Sequence, residues 1–528
     1  MNTADFIITN ANVFTSDETN SKAQAVAVTG NRIAHVGTMD EAAEWRGPRT
    51  RVIDGRGCTL APGFIDSHFH LLWGATWMAS AQLQVVKNLE DLRDVLLAFT
   101  GGNKTAQWVV GRGIQYNIAS TRQQLDAIIP NLPIYIGAYD GHTAWANTKA
   151  LEMAGILKEG EATGNGVIVR DDQGLASGEL RETAMDLVHD LIPEPDANRK
   201  RELLKKAIKN INATGVTSVH NMNGDLEELM FYTALEDAGE MTLRVYTPYW
   251  VKPETTEADL REAIEMAKIQ GEYARGGLVK FFMDGVWESY TALTLEPYAD
   301  DEDAKPEGIY SAEYFTRMAA ACDKLGLQIA VHCCGNGAVR RILDSYEAVQ
   351  NINGKYDSRH RVEHIEVIHP DDMPRFRQLG VIASMQTSHA PFSIGSGDVW
   401  LRRVGEKRWP FSFAWRDLKN AGAKLVFGSD WTVAPFDPMI NMHVAMNRER
   451  WSPESSDQRL TLEECILGYT RDAAYAEFKE GQKGQIKAGY LADLVLFSHD
   501  LFQLDPQRIT DAKSILTMVD GKVVHEAL

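Results

Sequence analysis

The first sixty residues alternate apolar and polar positions in short runs. "DFIITNANVFT", "AVAVTGNRIAHVG" and "RVIDGRGCTLAPG" read as half-buried strands, with Gly30-Asn31 as a hairpin turn. The last forty-five or so return to this style in "GQIKAGYLADLVLFSH" and "SILTMVDGKVVHE", where Asp520-Gly521 is a second hairpin signal. Between them the period changes. Apolar runs recur at "GFIDSHFH" (63–70), "VTSVHNM" (216–222), "LRVYTPYW" (243–250), "LVKFFMDGV" (278–286), "LQIAVHCC" (327–334), "HRVEHIEV" (360–367), "GVIASMQT" (380–387) and "KLVFGSDW" (424–431). Helical stretches such as "RELLKKAIKNINATG" and "SAEYFTRMAAACDKLG" precede several of them. Eight buried strands alternating with helices predict an α/β fold, a (β/α)8 TIM-like barrel; a doubly wound sheet is the main alternative. The matching ends predict a small β-sandwich domain built from both chain termini. The expected division is 1–61 plus 480–528 for the sandwich and 62–479 for the barrel, with an insertion at about 71–200. That insertion carries its own strands, "QWVVGRGIQYN" and "LPIYIGAYDGH".

Ionisable residues interrupt the apolar runs at one end of successive strands. "PGFIDSHFH" sets His68 and His70 one residue apart, and alternate strand side chains share a face. Strand four carries Lys280 and Asp284, strand five ends in His332, strand six carries His364, and strand eight ends in Asp430. Such groups are costly in an apolar strand unless paired, hydrogen-bonded or bound to metal. Barrel enzymes build their active sites at this end of their strands. Singly, each histidine is a hydrogen-bonded core residue and "GSD" is a turn. Taken in the order HxH…K…H…H…D, they point to a metal site. Imidazole and carboxylate suit zinc and neighbouring divalent metals. A metal lowers the pKa of bound water from ~15.7 to ~7, and an aspartate beside it can take that water's proton and deliver it to a leaving amine. Lys280 is the odd member. A buried lysine readily loses its proton, and a neutral amine reacts with CO2 to give a carbamate, an anionic bridge between two metals.

Composition narrows the partners. The chain has 528 residues, 44% apolar and 24% charged, with 54 basic against 73 acidic side chains and a net charge of −19. That balance disfavours nucleic acid and anionic membrane surfaces. No stretch of about 18 uncharged apolar residues suggests a membrane span, and "MNTADFIITNANVFTSDE" lacks a signal peptide's basic start and apolar core. Five cysteines (Cys58, Cys322, Cys333, Cys334 and Cys465), odd in number and sparse, argue for a reducing, cytoplasmic setting.

With these segments together, the chain resembles the amidohydrolase superfamily, in the branch that includes N-substituted formamide deformylases. "APGFIDSHFH", "DGHTAWANTKAL" (140–151), "VKFFMDG" (279–285), "HCCGNGAV" (332–339), "RVEHIE" (361–366) and "FGSDWTVAPFDP" (427–438) carry the likeness. "GQIKAGYLADLVLF" is similar to the superfamily's C-terminal β-domain signature. The resemblance implies a barrel inserted into a β-sandwich and one or two divalent metals per chain, with Zn²⁺ first. It implies His68 and His70 on one metal, Lys280 as a carbamylated bridge, His332 and His364 on the other, and Asp430 as metal neighbour and catalytic acid/base. It departs at Asn336, where relatives often carry Asp. His142, in "DGHTAWAN", is either an inter-strand hydrogen-bonding residue or, as the branch motif supports, a substrate or oxyanion contact over the barrel mouth.

His389, after strand seven, is a candidate pocket residue. Trp73, Trp77, Trp287 and Trp431 cluster after strand ends. Packing is their default role; if they line the pocket, the substrate carries an aromatic or bulky apolar group. "FSIGSGDVWLRRVGEKRWPF" (392–411) is expected as a mobile cover. The expected activity is hydrolysis of a non-peptide C–N bond in a small molecule: an amide, formamide, carbamate or cyclic amide. A mononuclear deaminase of an amino-heterocycle is the alternative, against which Lys280 counts. A catalytically silent binding protein is a third reading, against which the complete ligand set counts. A homodimer is compatible with the sequence.

Overall fold

The computed structural model describes residues 3–102, 106–118, 121–162, 165–393 and 399–528. Its centre is an eight-stranded sheet: β1 Phe64–Phe69, β2 Val216–Asn221, β3 Arg244–Trp250, β4 Ala274–Phe282, β5 Gln328–Cys333, β6 Arg361–His364, β7 Ile382–Met385 and β8 Lys424–Phe427. Each strand pairs in parallel with the next. The sheet closes through a parallel bridge between Phe69 and Trp431 and through Asp430 N donating to His68 O at 2.8 Å. This is the barrel, not the open doubly wound sheet. Strands buried on both faces need apolar side chains at nearly every position, and β1, β2 and β5 are buried throughout. On β4, Phe281 faces outward, packing against Tyr310 and Phe315 at 5.6 and 5.0 Å between ring centroids. Its neighbours Lys280 and Phe282 therefore face the barrel interior.

The helices form where the sequence supplies a cap and an apolar stripe. Asp196 accepts from Arg199 N at the start of Ala197–Asn212, whose Leu204, Ala207, Ile208 and Ile211 are buried against β1 and β2. Ser311 caps Ala312–Lys324 in the same way ahead of β5.

Both chain ends form sheet. Arg32–Gly37, Ala25–Thr29, Phe6–Thr9 and Arg51–Asp54 make a four-stranded sheet. Six more strands draw on both termini, in the order Lys522–Glu526, Ser514–Val519, Leu494–Phe497, Thr59–Pro62, Asn12–Phe14 and Lys22–Ala23. The two sheets share one apolar core, in which Ile8, Val26 and Ile53 meet Val13, Leu60, Leu494 and Met518. That is a sandwich in the sense of packed inner faces. Asp520 and Gly521 both have positive φ (54° and 71°), as a tight two-residue hairpin requires.

A buried ion pair ties the sandwich to the barrel. Arg244, at the start of β3, donates from Nε and Nη2 to Asp493 at 2.8 and 3.0 Å, and from Nη2 to Asp520 at 3.2 Å. Burial alone would raise the Asp493 carboxyl; Arg244 outweighs it and holds the group below the usual carboxylate range. Removing one partner of a buried pair leaves a charge stranded, which typically costs about 3–5 kcal/mol. Arg244→Met is therefore expected to lower the urea midpoint sharply. Because the Asp493 pKa is depressed on folding, the pair's contribution is present above about pH 4 and is lost as pH falls through the depressed value. An Arg244→Met protein with the wild-type midpoint at pH 7 would show that the pair contributes nothing.

The segment between β1 and β2 carries its own mixed sheet, in the order Val167–Arg170, Ala176–Arg181, Thr143–Ala146, Ile134–Ala138, Val109–Ile114 and Ala81–Gln82. It brings His142 and Arg112 to the barrel mouth. No helix among the described residues is long and apolar enough to cross a membrane.

Candidate metal centre

The site sits at the C-terminal end of the barrel strands. Alternation along β1 turns Asp66 and His68 inward. The strand ends at Phe69, so His70 is not its last residue but the lead-in to a helix, Leu71–Trp77. Its imidazole nevertheless meets the same carboxylate. His70 Nε2 lies 3.1 Å and His68 Nε2 3.5 Å from Asp430 Oδ1. Asp66 holds the two ends of the barrel in place, accepting from Ser429 N at 3.0 Å and His68 N at 3.2 Å. Burial pushes its carboxyl up to about 7. Gly428 is required beside it, since a Cβ there would stand 2.4 Å from His68 N.

On β6, alternation alone would send His364 outward, because Arg361 and Glu363 already take the inner face. The chain turns instead. His364 and Ile365 have φ of 70° and 52°, and Asp430 has 54°; these left-handed conformations are uncommon for such residues and concentrate at functional sites. His364 so reaches the centre, with its ring 4.7 Å from that of His68 and 4.3 Å from that of His332. His389 Nε2 lies 3.8 Å and His364 Nδ1 3.9 Å from Asp430 Oδ2.

The hydrogen bonds fix the tautomers. His68 Nδ1 donates to Glu363 Oε2 at 2.7 Å, and His70 Nδ1 to Asn223 Oδ1 at 2.6 Å. With Nδ1 as the donor, each ring then turns an acceptor Nε2 toward Asp430 Oδ1, which accepts no hydrogen bond among the described residues. Three acceptors facing one another at this range call for a cation. Among the described residues, buried His364 has no hydrogen bond at either nitrogen, and His389 none at Nε2. Two groups have ligand atoms all within 4.8 Å of one another: His68, His70 and Asp430, and His364, His389 and Asp430. The donor set fits a divalent metal. Burial first, with the charge of Lys280 adding to it, holds His68 well below the ordinary imidazole range; burial does the same for His332 and His364. Neutral imidazole is the ligating form.

Lys280 is fully buried, and its Nζ, 4.4 Å from the centre of the Phe282 ring, has no hydrogen-bond partner among the described residues. Burial pulls its ammonium down to about 8. The expectation that strand four carries Asp284 along with Lys280 needs correction. The strand ends at Phe282, and Asp284 accepts three backbone N–H groups, from Leu293, Cys334 and Gly335, at 2.8, 3.1 and 2.9 Å. His332 is at the centre, but its Nε2 faces Gly285 O at 3.2 Å and Cys334 Sγ at 3.4 Å. It is His389, read from the sequence only as pocket lining, that shares a carboxylate with His364.

His142 reaches across from the insertion, its ring 5.4 Å from that of His332. Burial opposes its charge, but Glu182, 3.0 Å from Nδ1, and Asp140 lift it to about 9. Trp73 stands edge-on to His70 at 5.2 Å, and Trp431 packs on Phe69 at 5.1 Å. Trp287 is fully buried, with its indole N–H on Cys334 O at 3.2 Å, so its side chain is committed to the core and not to a substrate surface. Of the expected cover, 394–398 lie outside the described residues, while Val399–Val404 form a helix whose buried Trp400 donates to Glu366 at 2.7 Å. Glu363, Asn223, Glu182 and Arg112 escaped sequence reasoning. Only Glu363 had a local signal, its place between Arg361 and His364 on a buried strand, two residues after the arginine.

Comparison with known proteins fits this geometry. The model described as "Amidohydrolase family" matches residues 51–525. The chain belongs to the amidohydrolase family. It is 29% identical to N-substituted formamide deformylase of Arthrobacter pascens, over 99% of this chain and 98% of that protein. It is 30% identical to Protein LONG AFTER FAR-RED 3 of Arabidopsis thaliana, over 99% of this chain and 92% of the relative. Among solved structures, an uncharacterized metal-dependent hydrolase from Pyrococcus furiosus superposes with a TM-score of 0.72 at 25% identity, covering 95% of this chain and 99% of its own. This amidohydrolase barrel thus carries at its mouth a His/His/Asp group able to hold a metal.

Proposed function

We propose that this protein is a metal-dependent hydrolase of non-peptide C–N bonds in small molecules, with N-formyl and N-acyl amines as the first substrate class. The observation that carries the reading is the convergence of His68, His70, His364, Asp430 and Lys280 with buried polar atoms left unbonded. The full-length likeness to a deformylase supports the bond type. His68, His70, Lys280, His332, His364 and Asp430 would hold one or two divalent ions, Zn²⁺ first. When bound, such an ion supplies Lewis acidity, polarising a carbonyl oxygen and acidifying a water at neutral pH.

The chain's own groups supply the rest. Asp430, a carboxylate that a bound cation would keep ionised, is the base. It takes a proton from the attacking water as the oxygen bonds to the carbonyl carbon. It returns that proton to the nitrogen as the C–N bond breaks, giving the acid and the free amine. His142, held protonated by Glu182, donates to the carbonyl oxygen as negative charge grows there. Trp73 and the insertion sheet shield these transfers from bulk water.

The test is a panel of N-formyl and N-acyl aromatic amines assayed for both the carboxylic acid and the released amine. Stoichiometric release of the two is expected. Ammonia release from amino-heterocycles, with no amide cleaved, would decide for a deaminase.

A further inference from the structure

Arg112 is 4% exposed, and none of Nε, Nη1 and Nη2 has a hydrogen-bond partner among the described residues. A guanidinium keeps its proton throughout the working pH range and carries five N–H donors in one plane. Burying it unpaired is costly. The local backbone is shaped to put it there. The pairing of Val109–Ile114 with Ile134–Ala138 shifts register between Arg112 and Ile114, and Gly113 between them has φ of 89°. Bulges of this kind re-aim a side chain beside active sites.

Its surroundings cover its flat face and leave its in-plane N–H groups unbonded among the described residues. The guanidinium carbon lies 3.1 Å from the ring centre of Trp77 and 5.2 Å from that of Trp73. Stacking satisfies the flat face of the cation and not its in-plane N–H groups. Trp73 in turn stands against His70, which sets the stacked cation beside the barrel mouth. The acidic groups whose field reaches it are Asp430 and Asp140. Asp430 faces the imidazoles, and Asp140 is engaged by Tyr116 OH at 2.8 Å and His142 N at 3.0 Å.

We propose that Arg112 is a specificity-determining residue that binds a carboxylate of the substrate, at a point remote from the bond cleaved, with Trp73 and Trp77 backing the cation. A carboxylate matches the planar fork with two parallel hydrogen bonds. The proposal rests on the hydrolase reading and deepens it: the substrate is an anionic N-acyl compound whose acidic group points at the insertion.

Benzoate and benzamide, equal in shape and different in charge, are the probes. Titrated into the holoenzyme and followed by tryptophan fluorescence, benzoate is expected to bind roughly 10- to 100-fold more tightly, as hydrogen bonds to charged groups allow. Arg112→Met should bring that ratio close to one, and Arg112→Lys, a point charge without the fork, should leave an intermediate value. Wild-type protein that binds both equally would overturn the proposal without any variant. So would a benzoate preference kept in Arg112→Met, which would assign the charge recognition to the metal. In the kinetic arm, the kcat/KM ratio of 4-(formylamino)benzoate to 4-(formylamino)benzamide should fall in the same order. If neither is hydrolysed, the hydrolase reading fails while the binding ratio still decides the role of Arg112.

Discussion

Asp430→Asn is expected to lower kcat by roughly 10²–10⁴-fold, the usual contribution of a positioned acid–base group, while bound metal and fold persist. The substitution keeps the shape of the side chain and an oxygen that can face His68 and His70. It removes the site that takes the water's proton and returns it to the leaving nitrogen. Asp430 is 6% exposed and lies within 4 Å of four imidazoles, which puts its carboxylate at the centre of the cluster. The check pairs amine-release kinetics with elemental analysis of the same preparation. A correctly metallated variant turning over at the wild-type rate would assign the proton transfer to another group.

Lys280→Ala is expected to remove one of two metals and nearly all activity. The lysine is fully buried, its Nζ is unbonded, and burial brings its pKa to about 8, so neutral amine is available to attack CO2. Attack forms an N–C bond and releases a proton, turning a cation into an anion beside His68, His332 and His364, whose rings already feel the lysine's charge. An unmodified ammonium there would repel a dication. Acetate or another small carboxylate should partly restore activity to the variant, since it returns a bridging anion. NMR with isotope-labelled bicarbonate should show a carbamate in the wild-type protein. A plain lysine in fully active protein with one metal per chain would decide against the bridge.

The barrel was legible because strands buried on both faces leave long apolar runs that polar residues interrupt at one end. β4 lies earlier than its apolar run suggests, at 274–282 against an expected 278–286, because Gly276 and Gly277 dilute the pattern where the strand begins. The convergence of the histidines with Asp430 was legible for the same reason, since each stands at the C-terminal end of a strand or just past it. Three things were not. His364 turns inward through a left-handed backbone that no side-chain periodicity encodes. Asp284 is drawn off β4 by backbone N–H groups from loops 9 to 51 residues away in sequence. His142 finds Glu182, 40 residues on, and Arg112 finds Trp73 and Trp77 only once the segment between β1 and β2 has folded.

The central claim is that the cluster works by holding a metal, and its most direct test is removal and return of that metal. Chelator-treated protein should lose all hydrolysis of an N-formyl aromatic amine while its circular dichroism stays that of the folded chain. Added Zn²⁺ or Mn²⁺ should restore turnover in proportion to metal bound, saturating at one or two ions per chain. Full turnover by protein shown by elemental analysis to be metal-free would contradict the account.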